Sequence, residues 1–313
     1  MGRRFWSPLH LSASIGPLNV VGDDLSVNPQ RLLNPNRGPM LIDQFRFSML
    51  PIIEDATYPN LGVLAVEIRL GSIPLMPHPV TLGSLAPRFR GAFNGVYSFA
   101  AGSPALANPV APIGDTIFVW HLHKPLFVPK NVQLSVRVVR QALFAPGTLN
   151  EPTDGIDPFR VSVVGRSLPE NEPSPPNIWV PWVSETKARV AAPTFDSPDS
   201  DLVNSHDVPL HVKSFIGYDT TSISGGNTHF GTHNVRMTAS NGTTIVREPT
   251  PFGLLFPYDR GNLEVDALLQ PGQYVRVGIE TAAPVGALAA QGNVQFTSIS
   301  MVGYRRVPTP KSN

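Results

Sequence analysis

The sequence predicts an all-β chain built from two similar β-domains in tandem. Three observations predict it: a block that occurs twice, strand-like alternation in both halves, and no long amphipathic helix. The first copy of the block reads Leu126-Phe127-Val128-Pro129-Lys130-Asn131-Val132-Gln133-Leu134-Ser135-Val136-Arg137. The second reads Leu268-Leu269-Gln270-Pro271-Gly272-Gln273-Tyr274-Val275-Arg276-Val277-Gly278-Ile279. Each is an apolar pair, a proline turn and an alternating strand. Each is followed by a closing strand, Val163 to Pro169 in one half and Met301 to Pro308 in the other. The offsets are 271 − 129 = 142 and 303 − 165 = 138. A repeat this long implies two domains, not a solenoid of short units.

The elements follow in order. Residues 1–38 carry Pro, Asn and Arg without sustained periodicity and read as an N-terminal arm. Met40 to Met49 is the first firm strand, with Phe45, Phe47 and Met49 alternating with polar residues. Val63 to Leu70 follows, then a short strand at Val80-Thr81-Leu82. Residues 87–112 are rich in Gly, Ala, Pro and Asn and read as an excursion loop. Strands resume at Thr116 to Leu122, Val132 to Val139 and Phe159 to Val164, closing a first domain over 39–170. The Pro/Ser/Asp-rich stretch 171–207 reads as a semi-rigid connector, with Trp179 and Trp182 anchoring it on a domain surface.

The second domain covers 208–308, with a tail at 309–313. Its opening strand sets Phe215 against Phe45, an offset of 215 − 45 = 170. The first half therefore carries about 30 extra residues before its repeated block, and 87–112 is the natural place for them. Asn241-Gly242 between alternating runs predicts a hairpin with a type I′ turn. About eight strands per half with no helical crossover point to sandwich or jelly-roll units.

Composition narrows the function. Of 313 residues, 42% are hydrophobic and only 15% charged, with 34 Pro and 26 Gly. A soluble chain is normally about a quarter charged, and weak charging suits a surface covered by copies of itself. The formal net charge of +1 gives no basic stripe for nucleic acid. Zero cysteines exclude disulfides, thiolate metal sites and a cysteine nucleophile. No apolar run has the length of a membrane span, and Met1 to Trp6 lacks the apolar stretch of a signal peptide. The expectation is a chain that stays where it is made.

Candidate chemistry is sparse. His121 and His123 form an H-x-H, as cupins present two metal ligands, but Lys124 to Phe127 stand where the cupin glutamate would be. They read as an interfacial or solvent-facing pair, with metal ligation as the alternative. His229 and His233 flank a Gly-rich loop and read as a loop or subunit contact. Asp196, Asp199, Asp201 and Asp207 read as linker solvation, with a calcium site as the alternative lacking the EF-hand spacing. There is no phosphate-binding glycine loop and no nucleophile elbow. The expectation is a protein without enzymatic activity, cofactor or metal.

Two tandem jelly rolls joined by a Pro-rich connector, with an excursion loop in one, resemble the double jelly-roll major capsid proteins. These build the shells of tailless, often membrane-containing icosahedral bacteriophages, of adenovirus and of the large DNA viruses. The resemblance rests on the repeated Leu126–Arg137 and Leu268–Ile279 blocks and the closing strands ending at Pro169 and Pro308, over roughly 39–308. It implies a homotrimer whose six barrels form a pseudo-hexagonal capsomer, made in the host cytoplasm and located in the virion. Its partners would be itself, neighbouring capsomers and minor capsid or vertex proteins. The loop 87–112 would be a modest tower or inter-subunit contact. Phe89, Phe93, Tyr97, Phe99, Trp179 and Trp182 would lie at subunit interfaces, with Val96 among the exposed apolar loop residues. The arm, with Arg3, Arg4, Phe5 and Trp6, would reach an internal membrane or the genome. The rival readings are another virion or appendage structural protein, a carbohydrate-binding jelly roll using Trp120, Trp179 or Trp182, and a cupin-like H-x-H metalloenzyme.

Overall fold

A computed structural model of the chain describes residues 11–13, 30–32, 38–49, 64–85, 116–140, 159–190, 200–220, 233–256, 262–281 and 295–310. In the first half the strands are β1 (Leu11–Ala13), β2 (Gln30–Leu32), β3 (Met40–Met49), β4 (Leu64–Leu70), β5 (Ile73–Pro74), β6 (Val80–Thr81), β7 (Thr116–Val128), β8 (Leu134–Arg140) and β9 (Phe159–Ser167). A short helix α1 (Leu82–Leu85) lies between β6 and β7. The second half has β10 (Asn177–Val190), β11 (Ser200–Val203), β12 (Leu210–Thr220), β13 (His233–Ala239), β14 (Thr244–Pro251), β15 (Asn262–Leu269), β16 (Tyr274–Thr281) and β17 (Gln295–Pro308). Its helix α2 (Phe252–Leu255) lies between β14 and β15.

The sheets run β1-β9-β3-β7 and β2-β8-β4-β5, with β6 also on β4, then β10-β17-β12-β15 and β11-β16-β13-β14. Count β5 and β6 as one interrupted strand. Among the described residues each half then has eight strands, ordered first-eighth-third-sixth in one sheet and second-seventh-fourth-fifth in the other. Every pairing among the described strands is antiparallel. This is the strand order of a jelly roll, built twice. The fold is a double jelly roll.

Two sequence expectations change. The arm 1–38 contains β1 and β2, and β1 pairs with β9 while β2 pairs with β8. They are the first two strands of the first barrel, too short for alternation to reveal them. The connector 171–207 contains β10 and β11. Asn177–Val190 pairs with β17 over its whole length, and Ser200–Val203 pairs with β16. Pro181 lies within β10 opposite Tyr304, where β10 is the outer strand of its sheet. An edge is the place a sheet tolerates proline.

The duplication reaches into backbone detail. Third and eighth strands pair as Ile42↔Gly165 and Gln44↔Val164 in one barrel, and as Val212↔Gly303 and Ser214↔Val302 in the other. Both third strands carry a register shift at that point, between Ile42 and Gln44 and between Val212 and Ser214. Offsets of 170 and 138 relate every one of these residues. The turn before the seventh strand repeats with an offset of 272 − 131 = 141, Asn131 and Gly272 both having positive φ. That corrects the offset of 142 by one residue. The one-residue slip decides which side chains face inward: at 141 the buried Leu134 and Val136 superpose on the buried Val275 and Val277.

The helices repeat as well, at 252 − 82 = 170. Because the offset is still 170 at the helices, 143 at His121 and Glu264, and 141 at Leu126 and Ala267, most of the surplus in the first half enters between α1 and β7, and two residues enter within β7. The excursion loop 87–112 itself lies outside the described residues. The Asn241-Gly242 turn differs from expectation. Only Gly242 has positive φ, and Gly242 N–H donates to Ala239 C=O at 3.0 Å. This is a type I turn closed by a left-handed glycine, a three-residue loop rather than a two-residue type I′.

Each barrel fills its own interior. Phe45, Phe47, Trp120 and Leu126 are buried in the first, with Phe45 and Trp120 stacked at 5.3 Å. Phe215, Met237, Ile299 and Met301 are buried in the second. Gly165 and Gly303 lie where the closing strand crosses the bulge. A Cβ on Gly165 would come within 3.0 Å of the Leu41 backbone oxygen, whereas on Gly303 it would first meet the Leu210 side chain at 2.8 Å. Backbone cannot yield as a leucine can. Gly165→Ala is therefore expected to destabilise the protein by at least about 1–3 kcal/mol, and more than Gly303→Ala, in urea denaturation followed by tryptophan fluorescence.

Candidate functional site

The chemistry-bearing side chains gather at the seam where the two barrels meet. Along β12 and β17, alternate residues divide between two cores. Phe215, Ile299 and Met301 join the second barrel's interior, while Ile216, Val302 and Tyr304 join the apolar cluster of the first. Ile178, Val180, Val183 and Val307 join it too. From the first barrel come Leu75, Met76, Leu82 and Leu85, all fully buried. Helix α1 packs on β12 and β17, and Val183 N–H donates to Leu75 C=O at 2.9 Å.

Polar groups pin this apolar contact at three places. Glu185, on β10, is buried and accepts from Thr81 N–H at 3.1 Å and from Ser84 Oγ at 2.8 Å, both in the first barrel. Ser298 Oγ and Lys187 complete its shell, the lysine at 3.1 Å. The second pin is Arg305, which donates through Nη2 to Pro74 C=O and through Nη1 to His206 Nδ1, each at 3.1 Å. Its guanidinium lies 4.9 Å from the Trp182 ring centre, and His206 meets that ring edge-on at 4.1 Å. Burial first, then the charge of Arg305, pushes His206 down to about 4. Accepting the Arg305 N–H requires that same neutral imidazole.

The third pin uses a bulge in β7. Ile42 pairs with Leu126 and Gln44 with His121, so four residues, 122–125, stand opposite Asp43 alone. The bulge thrusts His123 and Lys124 toward the second barrel. His123 N–H donates to Tyr304 Oη at 2.8 Å, and the two rings meet edge-on. Burial pushes the Tyr304 phenol up to about 12, so it remains a neutral hydroxyl. Lys124 Nζ sits 3.3 Å above the Trp179 ring, whose edge meets His211. A cation over a tryptophan face is a favourable electrostatic contact.

These positions decide the sequence candidates. His121 and His123 are both exposed, but the His123 ring meets Tyr304, and burial first, then the charge of Arg46, holds His121 below its ordinary value. His233 begins β13 opposite Thr281 instead of lying in a loop, and His229 is outside the described residues. Asp201 is a strand residue in a two-pronged pair with Arg276, at 2.9 and 3.1 Å. Asp207 is exposed, and Asp196 and Asp199 are outside the described residues. Among the described residues no three His, Asp or Glu side chains converge as metal ligands.

Trp182 is 3% exposed and belongs to the chain's own interior. Trp179 is half-buried at the inter-barrel seam. Phe89, Phe93, Val96, Tyr97, Phe99, Arg3, Arg4, Phe5 and Trp6 lie outside the described residues. Sequence reading missed Glu185, Arg305 and Tyr304. The repeat held a signal for them: Arg305 and Tyr304 lie on the closing strand, beside the repeated glycine.

Comparison with known proteins finds no matching family model and no matching curated protein. Among solved structures, the chain is similar to one from the atomic structure of Sulfolobus Turreted Icosahedral Virus. Identity is 13% and the TM-score 0.49, over 94% of this chain and 90% of that one. It is also similar to the Faustovirus major capsid protein, at 7% identity and a TM-score of 0.38, over 98% of this chain and 92% of that one. A third similarity, to a chain of the Sputnik virophage, has 10% identity and a TM-score of 0.26, over 97% and 80%. All three scores fall below 0.5. The fold assignment here rests on strand order and register.

The seam predicts a pH dependence. The folded state holds His206 near 4 and the unfolded chain near 6.5. The unfolded chain therefore binds the proton first, and stability present above about 6.5 is lost as pH falls toward 4. His206→Gln is expected to flatten that part of the stability profile, read as urea midpoints between pH 7 and pH 4. Glu185→Ala strands the buried Thr81 N–H and is expected to cost about 1–3 kcal/mol in the same assay.

Proposed function

We propose that this protein is a structural subunit of a virion, the major capsid protein of an icosahedral shell, working as a homotrimer of six barrels. The observation that carries the reading is the duplication itself. One chain builds the same eight-stranded barrel twice and locks the copies side by side through a buried apolar seam. A unit of two like barrels lets three chains present six similar edges, the outline that tiles a shell. Rigid joining within the chain supports the same reading, since a tile must hold its shape while its outer faces bind neighbours.

The location that follows is the shell of the virion, and the partners are further copies of the chain, with minor vertex proteins where the lattice closes. The segment 1–10 and the loop 87–112 are assigned, by the resemblance, to inner-face and outer-face contacts. A carbohydrate-binding role would need exposed ring faces. Trp120 and Trp182 are buried and Lys124 covers Trp179, which removes the three rings that reading relied on.

Purified protein is expected to scatter light as three chains at micromolar concentration, and to show hexagonal outlines in negative-stain micrographs. A monodisperse monomer would sink the proposal.

A further inference from the structure

The two barrels are alike, so each contact between them has a counterpart that the single chain leaves unmade. Within the chain, α1 of the first barrel seats on β12 and β17 of the second. Its Ser84 is 0% exposed there, and Leu82 and Leu85 share the seam cluster with Ile216 and Val302. The copy of this helix is α2. Its Leu254 corresponds to Ser84 at the offset of 170, yet is 74% exposed, the most exposed large apolar side chain among the described residues. Barrel two therefore carries the inserting element, and among the described residues of the chain no seat receives it.

The first barrel carries the matching seat. Ile216↔Ser300, beneath α1, corresponds by the offsets of 170 and 138 to Arg46↔Ser162, on the outward face of β3 and β9. Gln44 and Val164 flank that pair. Arg46 is half-buried, its guanidinium donating to Gln44 Oε1 at 3.1 and 3.2 Å. That geometry lays its aliphatic stem along the sheet, the part of an arginine that covers apolar surface.

We propose that α2 of one copy, led by Leu254, docks on the β3–β9 face of a second copy around Arg46 and Ser162. The occupant is fixed by continuity with the seam already made inside the chain. Such a contact is head-to-tail, so it closes a ring when the rotation between units allows. This inference rests on the reading of the protein as a self-associating subunit and names the surfaces used.

The test exploits the absence of cysteine from the sequence. Leu254→Cys with Ser162→Cys is expected to give linked dimers and trimers on denaturing gels after treatment with a short bis-maleimide. Either single variant should give only a minor linked fraction. A double variant that sediments as an oligomer yet does not cross-link overturns the docking contact while leaving the trimer reading intact. One that sediments as a monomer overturns both. Leu254→Arg sets a charge against Arg46, and at least a tenfold weaker self-association with an unchanged melting temperature is expected. Unchanged association by that variant also overturns the contact.

Discussion

Burial of the outward face of β12 and β17 against the first barrel is the constraint on which the rest depends. A jelly-roll sheet normally turns one face to its own core and the other to water. Here Phe215 and Met301 look one way and Ile216, Val302 and Tyr304 the other, and both sets are buried. Fully burying an aliphatic side chain contributes about 1.5–3 kcal/mol. An exposed ion pair such as Lys130–Glu170, at 2.9 Å, contributes about 0–1 kcal/mol. The apolar seam therefore sets the geometry, and the polar pins orient it. Glu185, Arg305 and the His123–Tyr304 bond each join a group on one barrel to a group on the other, which fixes rotation where apolar contact alone would permit sliding.

Much of the fold was legible because β-structure repeats at period two and the chain repeats itself. Met40–Met49 has the bounds that alternation predicts, since buried Phe45 and Phe47 alternate with the half-buried Gln44 and Arg46. The tandem plan followed from the repeated turn, where Asn131 and Gly272 supply the same backbone conformation. What escaped notice did so for identifiable reasons. β1 and β2 are three residues each, below the length at which alternation is recognisable. β10 is buried along both faces for much of its length, so it shows no alternation, and Pro181, with Pro173, Pro175 and Pro176 just before the strand, imitates a linker. The slip of one residue in the repeat arose from matching prolines, which fit on either side of a turn, instead of matching the inward-facing leucine and valine.

The seam was less legible than the fold. Its residues come from β5, β6, β7, β10, β12 and β17 together with α1, and no local pattern links Glu185 to Ser84 or Arg305 to Pro74 across about 100 and 230 positions. The H-x-H pair drew attention for its chemistry, but its placement depends on a four-residue bulge that alternation cannot foresee. Trp179 and Trp182, expected to anchor a connector on a domain surface, instead belong to strand β10, Trp179 at the seam and Trp182 in the second barrel's core.

The outward faces of the two barrels have diverged where the backbones have not. Ile216, Val302 and Tyr304 on the second barrel correspond to Arg46, Val164 and Arg166 on the first. The joint inside the chain is thus apolar, while the equivalent face of the first barrel sets two arginines beside Val164. In the shell proposed above, a subunit held through the more polar face can be released and seated again, because dissociation there does not require melting the subunit itself.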